Sequence, residues 1–151
     1  MRAVIQRVLE ANVAVDGRRV GSIGEGLLVL VCVAKGDGLE DAKTLAAKIA
    51  SIRIFRDSEG KMNRSVVDVA GSVLLVSQFT LCAEVRRGRR PSFAGAAPPE
   101  RAAELIRAVA SAVAEAGVAV STGAFGERML VSSVSDGPVT VVVDARGGTL
   151  V

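Results

Sequence analysis

The sequence predicts one compact α/β domain, a mixed sheet system carrying two helices. Three observations predict it. Two continuous apolar runs, Leu27 to Val33 and Val73 to Val76, suit buried strands and are too short for helices. Two other stretches repeat apolar residues at the helical period: Ala42, Leu45, Ala46, Ile49 and Ile52, then Ala102, Leu105, Ile106, Val109, Val113 and Ala116. No linker, repeat or low-complexity segment divides the 151 residues, and both halves follow the plan of strands, then a helix, then strands. Residues 1–151 therefore read as a single domain.

The elements follow in order. Arg2 to Leu9 alternates loosely as a strand, and Asn12 to Val15 and Arg19 to Ile23 flank an Asp16-Gly17 turn. Gly21-Ser22-Ile23-Gly24-Glu25-Gly26 is glycine-rich but has no P-loop lysine and no following helix, so it reads as a turn. Leu27 to Val33 is a central strand. Gly36-Asp37-Gly38 breaks the chain before a helix from about Leu39 to Ile52. Arg53 to Arg56 is a short strand, Asp57 to Gly60 a turn, and Lys61 to Val69 follows no clear period. Ser72 to Leu81 reads as a second buried strand and Glu84 to Pro99 as a long loop. Pro98-Pro99-Glu100 opens a second helix with proline in its first turn, and Gly117 stops it. Val118 to Thr122, Met129 to Val134 and Val139 to Asp144 are the last strands, and Arg146 to Val151 is a loose tail.

Composition narrows the chemistry. Half of the residues are apolar, enough for a core without staples. The longest apolar run, Leu27 to Ala34, is far short of a membrane span, and Met1-Arg2-Ala3-Val4 enters a strand with no signal-peptide layout. A cytoplasmic protein with no membrane partner is expected. Cys32 and Cys82 lie far apart among apolar neighbours and read as buried free thiols in a reducing compartment. There is no histidine, tryptophan or tyrosine. That excludes Ser-His-Asp and Cys-His catalysis and histidine metal sites, and two cysteines alone argue against zinc. No metal and no cofactor are expected. An enzyme built this way works by positioning and with backbone groups.

Three stretches stand out. Ser135-Asp136-Gly137-Pro138-Val139-Thr140 sits between two apolar runs. Asp-Gly there is the usual material of a hairpin turn. Pro138 argues against a regular one, because it removes a ladder N–H and makes Gly137-Pro138 an X-Pro bond, the class in which cis peptides occur. Ser77-Gln78-Phe79-Thr80 puts polar groups at the end of a buried run. It suits a strand leaving the core, or a pocket wall whose backbone N–H groups meet an ester carbonyl. Thr80 has no base to activate it as a nucleophile. Arg86, Arg87, Arg89 and Arg90 form a basic loop, either a solvated surface or forks for a phosphate backbone. Phe93 and Phe125 in nearby loops either anchor those loops or pack beside a base.

Taken together, these residues resemble the D-aminoacyl-tRNA deacylase family in its bacterial and eukaryotic form. The resemblance runs from Ile5-Gln6-Arg7-Val8 through Gly26 to Leu30, Arg53-Ile54-Phe55 and Gly60 to Asn63. It continues through Ser77-Gln78-Phe79-Thr80-Leu81, Arg90 to Phe93, Thr122 to Phe125 and Met129, and ends at Asp136-Gly137-Pro138-Val139-Thr140. The resemblance implies a barrel-like core and a homodimer with active sites at the subunit interface. It implies hydrolysis of the ester joining a D-amino acid to the 3′-terminal adenosine of tRNA, with glycine mischarged on alanine tRNA as a further substrate. Gly137-Pro138 would be the family's Gly-cisPro element, entering the other subunit's site and capturing the substrate ammonium with backbone carbonyls. Arg7 would brace it, with Met129 beside the same site. Ser77, Gln78, Phe79 and Thr80 would form the catalytic wall for ester and ribose, and the tRNA itself would assist through its 2′-hydroxyl. Arg86, Arg87, Arg89, Arg90 and Phe125 would meet the tRNA. One departure is Ser135, where family members commonly carry asparagine. Two rivals remain from the residues alone: a non-catalytic tRNA-binding module of the same fold, and a hydrolase of another acyl ester.

Overall fold

The computed structural model describes residues 1–86 and 88–151, which form one α/β unit. Its elements are β1 (Arg2–Val15), β2 (Arg18–Ile23), β3 (Gly26–Cys32), α1 (Leu39–Ser51), β4 (Phe55–Arg56), β5 (Met62–Arg64), β6 (Ser72–Ser77), a 3₁₀ turn (Phe79–Cys82), α2 (Pro99–Glu115), β7 (Ala119–Thr122), β8 (Leu130–Arg146) and β9 (Thr149–Leu150). The main sheet runs β7-β6-β3-β1-β8-β9, with β2 also on β1. The pairs β3–β6 and β6–β7 are parallel and the others antiparallel, so the sheet is mixed as expected. The pair β4–β5 stands apart.

Strand β1 organises the sheet. It is long enough to pair β3 with its first half, β2 with its second half, and β8 along nearly all of its length. The Asp16-Gly17 turn folds β2 back, both residues having positive φ. The far end of β2 then meets β7: Ser121 Oγ donates to the Ser22 carbonyl at 3.1 Å. A Cβ on Gly21 would fall 2.5 Å from the Thr122 carbonyl oxygen, so only glycine permits this approach. The sheet thereby curls β2 against β7 and forms the predicted barrel-like core as a half-barrel. Inside lie Val8, Ala11, Val13, Leu28, Leu74 and Val76. The other face of the sheet carries the larger core, where Ala3, Ile5, Val29, Val31, Val73 and Leu75 meet α1 and α2. The apolar stripes of both helices point there through Leu45, Ile49, Leu105, Val109 and Val113.

Asp41 ties α1 to the end of the chain. Its carboxylate accepts from the Gly38 N–H and from the Gly148 N–H, each at 2.8 Å. Burial alone pushes this carboxyl up, but the two N–H groups and the N-terminal ammonium outweigh it and hold its pKa below the ordinary value. Its folded pKa lies below its unfolded one, so its contribution is present above the unfolded pKa and lost as pH falls through the folded pKa. Stability of the wild type is expected to drop on acidification below about pH 4. Asp41→Asn should weaken the fold at neutral pH by about 1–2 kcal/mol and flatten that acid limb. Denaturant midpoints measured between pH 3 and pH 7 check both.

Five expectations are corrected. The runs Met129 to Val134 and Val139 to Asp144 are not the arms of a hairpin but parts of the single strand β8, both paired to β1. The second buried strand ends at Ser77 rather than Leu81, and the chain turns at once into the 3₁₀ segment Phe79–Cys82. Cys32 and Cys82 are not free thiols. The turn carries Cys82 back over the end of β3, where it forms a disulfide with Cys32 across a Cα–Cα distance of 6.3 Å. The tail is ordered: β8 continues to Arg146 and returns as β9. The glycine-rich stretch is a turn only at Gly24 and Glu25, since Gly21 to Ile23 stay in β2 and Gly26 begins β3.

Candidate active site

Strand register makes the first half of the site. Along β1–β8, Gln6 faces Thr140 and Val8 faces Ser135. One residue of β1, Arg7, therefore stands opposite four of β8: Asp136, Gly137, Pro138 and Val139. The surplus is thrown out as a bulge. The Gly137-Pro138 peptide is cis, and Gly137 takes φ +125°. Both residues are exposed.

Arg7 holds the bulge from behind. Only 2% of its surface is exposed. Its Nε lies 2.8 Å from Asp136 Oδ2 and 3.3 Å from the Asp136 carbonyl, and Nη1 donates to the Ile54 carbonyl at 2.5 Å. A buried guanidinium is tolerable only when satisfied in this way. Bonds to both the side chain and the backbone of Asp136 fix the residue preceding Gly137. A polar cavity of about 300 Å³ opens here, lined by Arg7, Asp136, Glu25, Arg56 and Arg64.

The second half is the wall after β6. Ser77, Gln78 and Phe79 line an apolar cavity of about 300 Å³ together with Val31, Ala97, Ile106 and Phe125. β6 is parallel to β3, so its carboxyl end opens beside the start of α2, where open α/β sheets commonly hold ligands. The Gln78 N–H donates to the Val31 carbonyl at 2.7 Å, pinning the start of the wall to β3. Gln78 Nε2 donates to the Thr80 hydroxyl. Phe79 is 56% exposed and meets Phe93 edge to face, with ring centroids 5.1 Å apart.

Phe93 belongs to the basic loop, which is rooted by a single antiparallel bridge between Glu84 and Ser92. Arg86, Arg89 and Arg90 are exposed there, and Arg86 lies 3.8 Å from Glu84. Arg87 lies outside the described residues. Met129 is half-buried and packs on the barrel core near Val76 rather than lining the apolar cavity. The structure thus gathers Ser77, Gln78, Phe79 and Phe125 at one cavity, with Thr80 joined through Gln78. It places Arg7 at a different one with Asp136, and Gly137 and Pro138 line neither cavity. Sequence reasoning missed the apolar lining from α2, Ala102 and Ile106, because those residues also fit the buried stripe of a helix.

Comparison with known proteins gives the family. The model of the D-Tyr-tRNA(Tyr) deacylase family matches residues 4–144. A D-aminoacyl-tRNA deacylase of Heliobacterium modesticaldum is 55% identical over 148 residues, covering 98% of this chain and 99% of that protein. Among solved structures, one titled c-Myc DNA Unwinding Element Binding Protein superposes with a TM-score of 0.90 at 34% identity, over 97% of this chain and 100% of its own. A probable eukaryotic D-amino acid tRNA deacylase shares the fold, with a TM-score of 0.78 at 20% identity over 95% and 98% of the two chains. A family match over nearly the whole length, with a bulge and a pocket wall formed by the motifs that suggested it, places this chain in the D-Tyr-tRNA(Tyr) deacylase family.

Proposed function

We propose that the protein is a cytoplasmic, homodimeric deacylase that hydrolyses the ester of D-aminoacyl-tRNA, and of glycine mischarged on alanine tRNA, releasing the free amino acid and the tRNA. The observation that carries this reading is the Gly137-Pro138 bulge, braced by Arg7 and projecting from the sheet into solvent instead of into its own chain's apolar cavity. A second copy gives it a place to go. Leu9, Val134 and Val142, on the two strands that carry the bulge, are 54%, 46% and 60% exposed, an apolar surface suited to a partner.

In such a dimer the bulge of one protomer meets the Ser77 to Thr80 wall of the other. The terminal adenosine enters the apolar cavity beside Phe79 and Phe125. The Gly137 and Pro138 carbonyls accept from the substrate ammonium. An L side chain then points into a rigid main chain, whereas a D side chain points away. Rejection rests on main-chain atoms and leaves the side chain unread, so breadth across D-amino acids follows.

The chemistry asks little of the protein. An aminoacyl ester is already reactive, and its ammonium group makes it more so. Phe79 and Thr80 open the 3₁₀ turn, where the first N–H groups have no intrahelical acceptor. They are the donors for the developing oxyanion. The ribose 2′-hydroxyl assists the attacking water, in place of the histidine the chain lacks. The basic loop, including Arg86, Arg87, Arg89 and Arg90, meets the RNA backbone.

Paired assays on D- and L-tyrosyl-tRNA test the reading. The D ester should be cleaved about 100-fold faster or more, and equal rates would falsify the main-chain selection. Binding of tRNA that weakens steeply with salt, without turnover, would instead support the non-catalytic module. Thr80→Ala is expected to keep its rate within about tenfold, because its hydroxyl is tied to Gln78 and no base stands beside it. Complete loss in a folded variant would restore a covalent mechanism.

A further inference from the structure

We propose that Cys32 and Cys82 form a reversible thiol–disulfide site that fixes the substrate-facing turn Phe79–Cys82, so that the oxidation state of the pair governs the order of the pocket wall. Its effect on turnover rests on the deacylase reading above; its effect on the wall does not.

Apart from the Phe79–Phe93 contact and the Glu84–Ser92 bridge that follows it, the turn packs little of its own surface. None of its four residues is buried, and Phe79 and Thr80 are exposed. At its start the Gln78 N–H is bonded to the Val31 carbonyl. At its end Cys82 is bonded to Cys32, the residue after Val31 on the buried central strand. These two ties, one residue apart on β3, clamp the turn at both ends. Its internal bonds, from Leu81 N–H to the Gln78 carbonyl and from Ala83 N–H to the Thr80 carbonyl, are both 3.1 Å and span only three residues each. Without the disulfide the next tie after the turn is the Glu84–Ser92 bridge on the exposed basic loop, and Phe79 and Thr80 are held less firmly at the cavity.

The sulfurs can be reached without entering the apolar cavity. Cys32 is fully buried, but Cys82 is half-buried and lines a separate cavity of about 300 Å³ with Met1, Arg2, Asp37 and Asp144. Exchange therefore begins at Cys82. A dithiol's thiolate attacks Cys82 Sγ and breaks the Sγ–Sγ bond, releasing Cys32 as a thiolate that takes up a proton. The reductant's second thiolate then displaces Cys82, which is also protonated, and the dithiol leaves as its own disulfide. In the reverse direction hydrogen peroxide oxidises the Cys82 thiolate to a sulfenic acid, and hydroxide leaves as water. The Cys32 thiolate displaces hydroxide from that sulfenic acid, forming the Sγ–Sγ bond and a second water.

The test uses the wild-type protein equilibrated in mixtures of reduced and oxidised dithiothreitol. Maleimide labelling counts thiols, amide exchange follows Leu81 and Ala83, and steady-state rates are measured on D-aminoacyl-tRNA. The expected result is one two-thiol transition. Across it, exchange at both amides should be about tenfold or more faster in the reduced form. In the reduced form kcat should fall about tenfold or more with KM changing less, because Phe79 and Thr80 carry the donors for the developing oxyanion. Peroxide should reverse all three. A Cys32→Ser, Cys82→Ser double variant should sit at the reduced values at every poise. Two free thiols persisting in peroxide, or equal exchange in both states, overturns the proposal. A protein inactive on aminoacyl-tRNA in both states removes the deacylase reading, and the exchange ratio still decides this one.

Discussion

Gly137→Ala is expected to abolish most deacylation, by about 100-fold or more, while the protein stays folded. A Cβ at this position falls 2.8 Å from the Val139 nitrogen and 2.8 Å from its Cγ2, and 3.3 Å from an Arg7 guanidinium nitrogen. The first of these is backbone and cannot swing aside. The φ of +125° is itself costly for any residue with a side chain. The bulge must shift, and a displacement of about 1 Å at a positioning element is enough for a 100-fold loss. The stability cost should be only about 1–3 kcal/mol, because the bulge is exposed and the paired strands on either side of it remain. Steady-state rates on D-aminoacyl-tRNA, alongside denaturant unfolding, separate the two effects. Gly17→Ala is the control: it also replaces a positive-φ glycine, but nothing lies within 4 Å of the added atom, and activity should be unchanged. A Gly137→Ala enzyme within threefold of wild type would remove the bulge from the mechanism.

Arg7→Ala should be the most destabilising single change near the site, at about 2–4 kcal/mol. It leaves the Ile54 carbonyl and the Asp136 carbonyl without their donor and opens a void beneath the bulge. The side chain of Asp136 is 42% exposed, so its abandoned carboxylate is rehydrated and adds little. Asp136→Asn should accordingly cost about 1 kcal/mol or less, and Arg7→Lys should fall between the two, since an ammonium cannot reach both Asp136 and Ile54 as the fork does. The expected order is Arg7→Ala, Arg7→Lys, Asp136→Asn. Denaturant midpoints and a double-mutant cycle on Arg7 and Asp136 check it, with a coupling of about 0.5–3 kcal/mol expected for groups in contact. Activity should follow the same order, because each change loosens the residue before Gly137. An inverted order would mean that the ion pair, not the carbonyl bonds, sets the bulge.

Much of the scaffold was legible because period and burial agree. The stripes of α1 and α2 carry the helical repeat, and the run from Leu27 onward is unbroken because β3 is covered on both faces. The misreadings share one cause, which is that the deciding contact lies far off in sequence. Asp-Gly between two apolar runs suits a hairpin and suits a bulge. The choice is made by β1, whose 14 residues pair with β8 on both sides of the interruption. Phe79 to Cys82 follows a strand with no local stop signal, and it turns because Cys82 is brought back to Cys32, 50 residues away. The same distance hid the disulfide.

By itself the sequence determined the α/β class, both helices, the central strands and the motifs that carry the family resemblance, because local periodicity and residue chemistry are enough to specify them. Only the tertiary structure decided that four residues of β8 face one of β1, that the Arg7 guanidinium is buried and bonds both the side chain and the backbone of Asp136, and that Phe125 shares one cavity with Ser77, Gln78 and Phe79. Register and curvature decide these features. They depend on which strands meet and how far each has run before they do, and that is fixed only when the whole sheet has assembled and curled.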